Sequence, residues 1–126
     1  MCIRDRVEIL KYVVADDCGT RLNPATLEGL LQGGIAQGVA AALLEEYPYN
    51  ETGQPLASTF MDYLLPTIHE VPMSEKIALE TPSPVSPLGA KGCGEGAIHI
   101  TPATIMFGLQ YALHPPGGSL NNTQRA

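Results

Sequence analysis

Between Gly29 and Leu44 the chain carries no charged side chain, and its only polar ones are Gln32 and Gln37. Asn23-Pro24 opens this run as a helix start. Asn23 is placed to accept the first unpaired N–H groups, and Pro24 sits where its missing donor does not matter. A helix from Pro24 to about Glu46 would be ~35 Å long. At about 100° per residue, Leu31, Ile35, Val39, Ala42 and Leu43 form one stripe, while Leu30, Gly33, Ala41 and Leu44 surround Gln37 on the other side. Such a helix is apolar nearly all round and is expected to be buried, which obliges the rest of the chain to cover it. Each buried glutamine then needs a partner, because an unpaired amide in a core costs roughly 1–3 kcal/mol. Gly29, Gly33, Gly34 and Gly38 weaken the helix by about 0.8–1 kcal/mol each relative to Ala. That is reasonable only where something approaches the backbone closely. A membrane span is excluded, because the run is short of the roughly 20 residues required and is flanked by acids rather than Lys or Arg.

The chemistry is concentrated elsewhere, in Gly89-Ala90-Lys91-Gly92-Cys93-Gly94-Glu95-Gly96-Ala97, where one carboxylate stands among glycines beside one cation. Glycines on both sides of Glu95 let the backbone bend sharply and approach a bulky or anionic ligand. The preceding Ser83-Pro84-Val85-Ser86-Pro87-Leu88 is stiffened by its prolines and cannot form regular helix or central strand. Gly92 to Ala97 satisfies the G-x-G-x-x-A dinucleotide pattern, but that pattern needs a strand directly before it and a helix opening within it. Here a proline-rich run comes first, the next helix start is read at Thr101-Pro102, and no acid comes after Glu95 to hold a ribose. A phosphate-binding Walker loop fails because Lys91 is succeeded by Gly92.

With 126 residues the chain suits one domain, and its net charge of −6 argues against nucleic acid or an anionic membrane surface as partner. Cys2, Cys18 and Cys93 are odd in number and lack a C-x-x-C pair, and the three histidines are dispersed, so no disulfide framework or metal-ligating set is assigned. No signal peptide is visible, which makes the cytoplasm the default location. Met1 to Arg6 fits poorly with the strand pattern that begins at Val7 and is set aside as an extraneous leader. Val7 to Val14 alternates as a largely buried strand, and Asp16-Asp17 falls in the turn after it as backbone caps or, less simply, a metal pair. Lys76 to Thr81 offers a second short strand. Thr101 is expected to cap a second helix with Pro102 in its first turn and Ile105, Met106, Leu109 and Leu113 as its stripe. The expected fold class is therefore α/β (α+β), a small sheet with two principal helices.

Asp17-Cys18-Gly19, Asn23-Pro24, Glu28-Gly29, Gly33-Gly34-Ile35-Ala36-Gln37-Gly38, Glu45-Glu46, Met61-Asp62-Tyr63 and Gly89 to Gly96 succeed one another in this order. In that order they resemble the C-terminal part of molybdenum hydroxylase large subunits, the xanthine oxidase family. The resemblance is strongest to large chains of the aerobic carbon monoxide dehydrogenase and aldehyde oxidoreductase type. It implies a partial second molybdopterin-binding domain over residues 7–114, with a divergent tail at 115–126 and the N-terminal body of the subunit missing. It implies hydroxylation of an aldehyde, heteroaromatic or CO carbon with water-derived oxygen. Glu95 would be the catalytic base, and Gln37 would hydrogen-bond the molybdenum–molybdopterin cofactor, in its simple or cytosine dinucleotide form. The main chain of Gly92, Cys93 and Gly94 would contact the pterin; Cys93 stands where the family usually has Val, Ile or Leu. Iron–sulfur clusters and FAD would lie on partner domains or subunits. Two other readings stay open on the residues alone: a non-catalytic structural fragment, and an unrelated α/β module with an anion-binding glycine loop.

Overall fold

The computed structural model describes residues 7–113; the leader expected at 1–6 and the tail expected at 115–126 lie outside the described residues. The element order is β1 (Tyr12–Asp17), α1 (Pro24–Leu43), β2 (Ser74–Leu79) and α2 (Gly96–Leu113). The two strands pair in parallel, from Tyr12 opposite Ser74 to Asp17 opposite Leu79. Parallel strands need a long crossover, which α1 and the turns after it supply. The arrangement is α/β, as the sequence suggests. Among the described residues no helix is long and apolar enough to cross a membrane.

The first strand begins later than its alternation indicates. Residues 7–11 alternate but have no sheet partner, whereas 12–17 find β2 and so carry the ladder through both aspartates. Nor is the strand buried on both faces. Tyr12 and Val14 point into the core, while Val13 is 47% exposed, because among the described residues only one side of the sheet is covered.

Asn23 caps α1 as expected, its Oδ1 accepting the Thr26 N–H at 3.2 Å. Leu27, Leu31, Ile35 and Val39, spaced by four, are buried, the last three in one core with Tyr12, Val14 and Ile105. The opposite side is not covered: Leu30 is 40% exposed, and Gly33 and Gln37 are not buried either, Gln37 standing exposed. All-round burial of α1 is therefore not met within the described residues, since a two-stranded sheet and one further helix reach only part of its circumference. Gln32 does find partners. Its Nε2 donates to Pro72 O at 3.0 Å, and its Oε1 accepts from the Ser74 hydroxyl at 2.7 Å and from Lys76 Nζ at 3.3 Å, which fastens the start of β2 to α1.

The second helix corrects the expectation at Thr101-Pro102. α2 begins at Gly96, Pro102 lies inside it, and Thr101 is fully buried instead of capping. The Thr101 hydroxyl donates to Ala97 O one turn back at 2.7 Å. Its single proton being used there, it accepts from the Tyr12 hydroxyl at 2.9 Å. Tyr12→Phe is therefore expected to leave a buried acceptor partly unsatisfied and to lower unfolding free energy by about 1 kcal/mol, measurable by urea denaturation.

Two glycines explain how α1 and α2 meet. A Cβ on Gly34 would come within 2.9 Å of Ala97 Cβ and 3.2 Å of Ile98 N, and one on Gly38 would run into Thr101 Cβ. Both contacts step four residues in the same sense, so the helices lie side by side and run in the same direction. Gly29 and Gly33 have nothing within 4 Å of a Cβ, so the close approach inferred from the glycines is realised at two of the four.

Candidate cofactor-binding site

The glycine loop starts from a fixed platform at the end of β1. Gly19 and Gly89 adopt φ of 67° and 72°, and a side chain on Gly19 would collide with Gly89 O. That close approach allows Gly89 O to accept from Thr20 N at 3.1 Å and from Ser83 N at 2.9 Å, while Lys91 N donates to Cys18 O at 2.8 Å. The Asp17 carboxylate closes the corner. Its Oδ1 accepts from Gly19 N and Thr81 N, each at 3.0 Å, and its Oδ2 pairs with Lys91 Nζ at 3.3 Å. Hydrogen bonding from Thr81 first, then Gly19, with Lys91 adding less, holds this carboxyl well below the usual carboxylate range. Its folded-state value being depressed, its stabilising contribution is complete above the ordinary carboxylate range and is lost only as pH falls through the lowered value.

Beyond Lys91 the loop is bare. Gly92, Gly94 and Glu95 are exposed, and Cys93 is half-buried. Glu95 sits immediately before the first residue of α2, its carbonyl accepting from His99 N at 3.4 Å. The helix thus opens inside the G-x-G-x-x-A pattern, contrary to the sequence reading. The other two grounds for setting that pattern aside hold, since β2 ends at Leu79 with the proline-rich run between it and the loop, and no acid comes after Glu95. Asp16, half-buried, brings its Oδ1 to 3.8 Å from where a Cβ on Gly96 would stand.

Cys93 lines a groove of about 190 Å³ with Cys18, Thr20, Leu27, Leu30 and Lys91, between the loop and the first turns of α1. Burial, reinforced by the Asp16 carboxylate, pushes the Cys18 thiol up, which keeps it protonated and poorly reactive. Glu95 and Gln37 do not line this groove. Gln37 stands on the uncovered side of α1, about level with Ile100 if Gly38 marks Thr101, so Glu95 lies roughly 7–8 Å farther back along the helix axes. The structure therefore places Gly92, Cys93, Gly94 and Glu95 together and sets Gln37 along the neighbouring helix, without enclosing them. The ties of Asp17 to Thr81 and Lys91 are not legible in the sequence, which shows only acids in a turn.

The family model described as a molybdopterin cofactor-binding domain matches residues 4–72. The chain belongs to this family. It is 46% identical over 85 residues to the carbon monoxide dehydrogenase large chain of Afipia carboxidovorans, a match covering 68% of this chain and 10% of that one. It is 35% identical over 114 residues to the nicotine 6-hydroxylase large subunit of Paenarthrobacter nicotinovorans, covering 90% of this chain and 14% of that one. Among solved structures it resembles quinoline 2-oxidoreductase from Pseudomonas putida 86, with a TM-score of 0.72 and 47% identity over 74% of this chain and 12% of that one. The chain thus spans between a tenth and a seventh of the length of these relatives. The family model stops before the glycine loop, but a match over 90% of the chain must include it. Membership ends the reading as an unrelated anion-binding module.

The residues present fit a molybdopterin. The N–H groups of Gly92, Cys93 and Gly94 have no hydrogen-bond partner among the described residues, and a Cβ on Gly92 or Gly94 would meet only open space. The opening of α2 adds little to this, because Glu95 directly precedes it and Asp16 Oδ1 stands 3.8 Å from a Cβ built on Gly96, so the fit rests on the N–H groups of the loop.

Proposed function

We propose that this chain serves as the cofactor-holding, C-terminal part of the large subunit of a molybdenum-dependent oxidoreductase that hydroxylates a small-molecule carbon with water-derived oxygen. The observation that carries this reading is the bare segment Gly92–Gly94, its N–H groups free, delivering the Glu95 carboxylate at the opening of α2 in a chain of the molybdopterin-binding family. When bound, the molybdenum cofactor, simple or as its cytosine dinucleotide, supplies the two-electron oxidation. The main chain of Gly92, Cys93 and Gly94 would hold and orient the pterin, the Gln37 amide would hydrogen-bond the cofactor, and the Glu95 carboxylate would accept a proton from the attacking oxygen. A carboxylate sheltered from water is a better proton acceptor, and that shelter has to come from the rest of a longer subunit. Leu10, Phe60, Met61 and Val85, each at least 84% exposed, and the uncovered side of α1 suit such a neighbour. Electrons would leave to iron–sulfur clusters and FAD on partner domains or subunits, in the cytoplasm. The relatives are named for carbon monoxide, nicotine and quinoline, which supports a CO or heteroaromatic carbon as substrate, with the aldehyde carbon implied by the sequence resemblance as the third class.

Gln37→Ala in the complete subunit tests the holding role. Gln37 is exposed in this chain and Ala is the better helix former, so the fold of these residues does not depend on its side chain. Loss of one hydrogen bond to the cofactor is expected to weaken its retention about two- to tenfold, read as pterin and molybdenum per polypeptide after purification. Unchanged contents would remove Gln37 from the site, and a subunit that never binds molybdenum would leave only a structural segment.

A further inference from the structure

Asp17 gathers three separate parts of the chain onto one carboxylate. Oδ1 takes the N–H of Gly19 just after β1 and the N–H of Thr81 just after β2, each at 3.0 Å, and Oδ2 meets Lys91 Nζ at 3.3 Å. Lys91 is consequently held at both ends on the same strand terminus, its own N–H donating to Cys18 O at 2.8 Å and its ammonium to Asp17. Four residues later comes Glu95. Of the residues between, Gly92 and Gly94 have no side chain to hold and Cys93 reaches only the groove. Lys91 is thus the last charged anchor before α2 begins.

We propose that Asp17, through its ion pair with Lys91, is a positioning residue that fixes where the glycine loop presents Glu95. The proposal rests on the assignment of Glu95 as base. The pair is an unpromising source of stability, because its two side chains remain 36% and 29% exposed and solvated pairs contribute little. What it does supply is geometry. With the pair intact, the path from the strand terminus to Glu95 starts from a lysine fastened by both backbone and side chain. Without it, the main-chain bonds of Gly89 and Lys91 remain upstream and that of Glu95 O to His99 N remains downstream, but the lysine side chain is released and the two glycines between give the segment that carries the carboxylate more room to move.

The test uses the complete, cofactor-loaded subunit with Asp17→Asn, Lys91→Met and Lys91→Arg. The asparagine retains an oxygen for Gly19 and Thr81 but loses the charge facing Lys91. The methionine removes the cation without touching the turn, and the arginine keeps the pair. The two charge-removing variants are expected to lower kcat roughly 10- to 100-fold, the range for a displacement on the order of 1 Å. KM and molybdenum content should stay unchanged, amide hydrogen exchange across residues 89–95 should accelerate, and Lys91→Arg should restore both rate and protection. Wild-type kcat and exchange in both charge-removing variants would overturn the proposal, as would a rate that falls only in step with molybdenum content. Glu95→Gln run alongside separates the two claims. If that variant keeps its rate, the base assignment fails, and exchange alone then decides whether Asp17 holds the loop.

Discussion

Glu95→Gln in the complete subunit is expected to cut turnover about 10²- to 10⁴-fold, the usual worth of a positioned acid–base group, while molybdenum and pterin contents stay near wild type. The substitution keeps the shape of the side chain and removes only its ability to take a proton. Glu95 is exposed and makes no side-chain hydrogen bond among the described residues, so removing its charge costs α2 no more than the weak attraction of a solvated carboxylate to a helix N-terminus, about 0.3–1 kcal/mol. Little stands ready to replace it. No acidic residue comes after it in the chain, Asp17 is committed to Gly19, Thr81 and Lys91, and Asp16 brings a carboxylate oxygen near the start of α2, 3.8 Å from a Cβ built on Gly96. Steady-state turnover of whatever substrate the wild-type subunit oxidises, normalised to bound molybdenum, makes the measurement. A variant that keeps most of its rate at full metal loading would take the base role from Glu95, and Asp16→Asn would then be the variant to make. A variant that loses molybdenum together with rate would instead make Glu95 a holding group.

The first helix is legible because its signals are local. Asn23-Pro24 caps wherever it opens a helix, and Leu27, Leu31, Ile35 and Val39 repeat at the helical period. The second helix starts five residues before its apparent cap because Thr-Pro has two uses that look identical in sequence. Thr101 can cap, or it can bond back to Ala97 O, and what selects the second is the buried hydroxyl of Tyr12, 89 residues away. The first strand is displaced for a similar reason, since alternation from Val7 onward says which faces exist and only β2 says which residues pair. At the candidate site the glycines and Glu95 announce themselves, whereas the ion pair of Asp17 with Lys91 spans 74 positions and no local pattern encodes it. Gln37, expected to be buried, is exposed. Its apolar surroundings on α1 describe a surface that lies open in these residues and that a longer subunit would cover.

Two glycine substitutions on that same helix should therefore differ in sign. Gly38→Ala places a methyl group against Thr101 Cβ and, behind it, Pro102 Cδ at 3.2 Å. Thr101 cannot yield easily, being fully buried and bonded to both Ala97 O and Tyr12. The roughly 1 kcal/mol gained in helix propensity is expected to be outweighed by overpacking of about 1–3 kcal/mol or more. Gly38→Val, which lacks most of the propensity gain and adds two further carbons, should be worse, to the point of separating α1 from α2. Gly33→Ala meets nothing within 4 Å and should stabilise this chain by about 0.8–1 kcal/mol. Urea denaturation of the three variants reads the difference directly, and a stabilised Gly38→Ala would refute the close helix contact. Repeating Gly33→Ala in the complete subunit reads the uncovered face as well. If the rest of the subunit packs against Gly33 and Gln37, the gain seen in the short chain should shrink or reverse there, whereas an equal gain in both would mean that this side of α1 stays open to water.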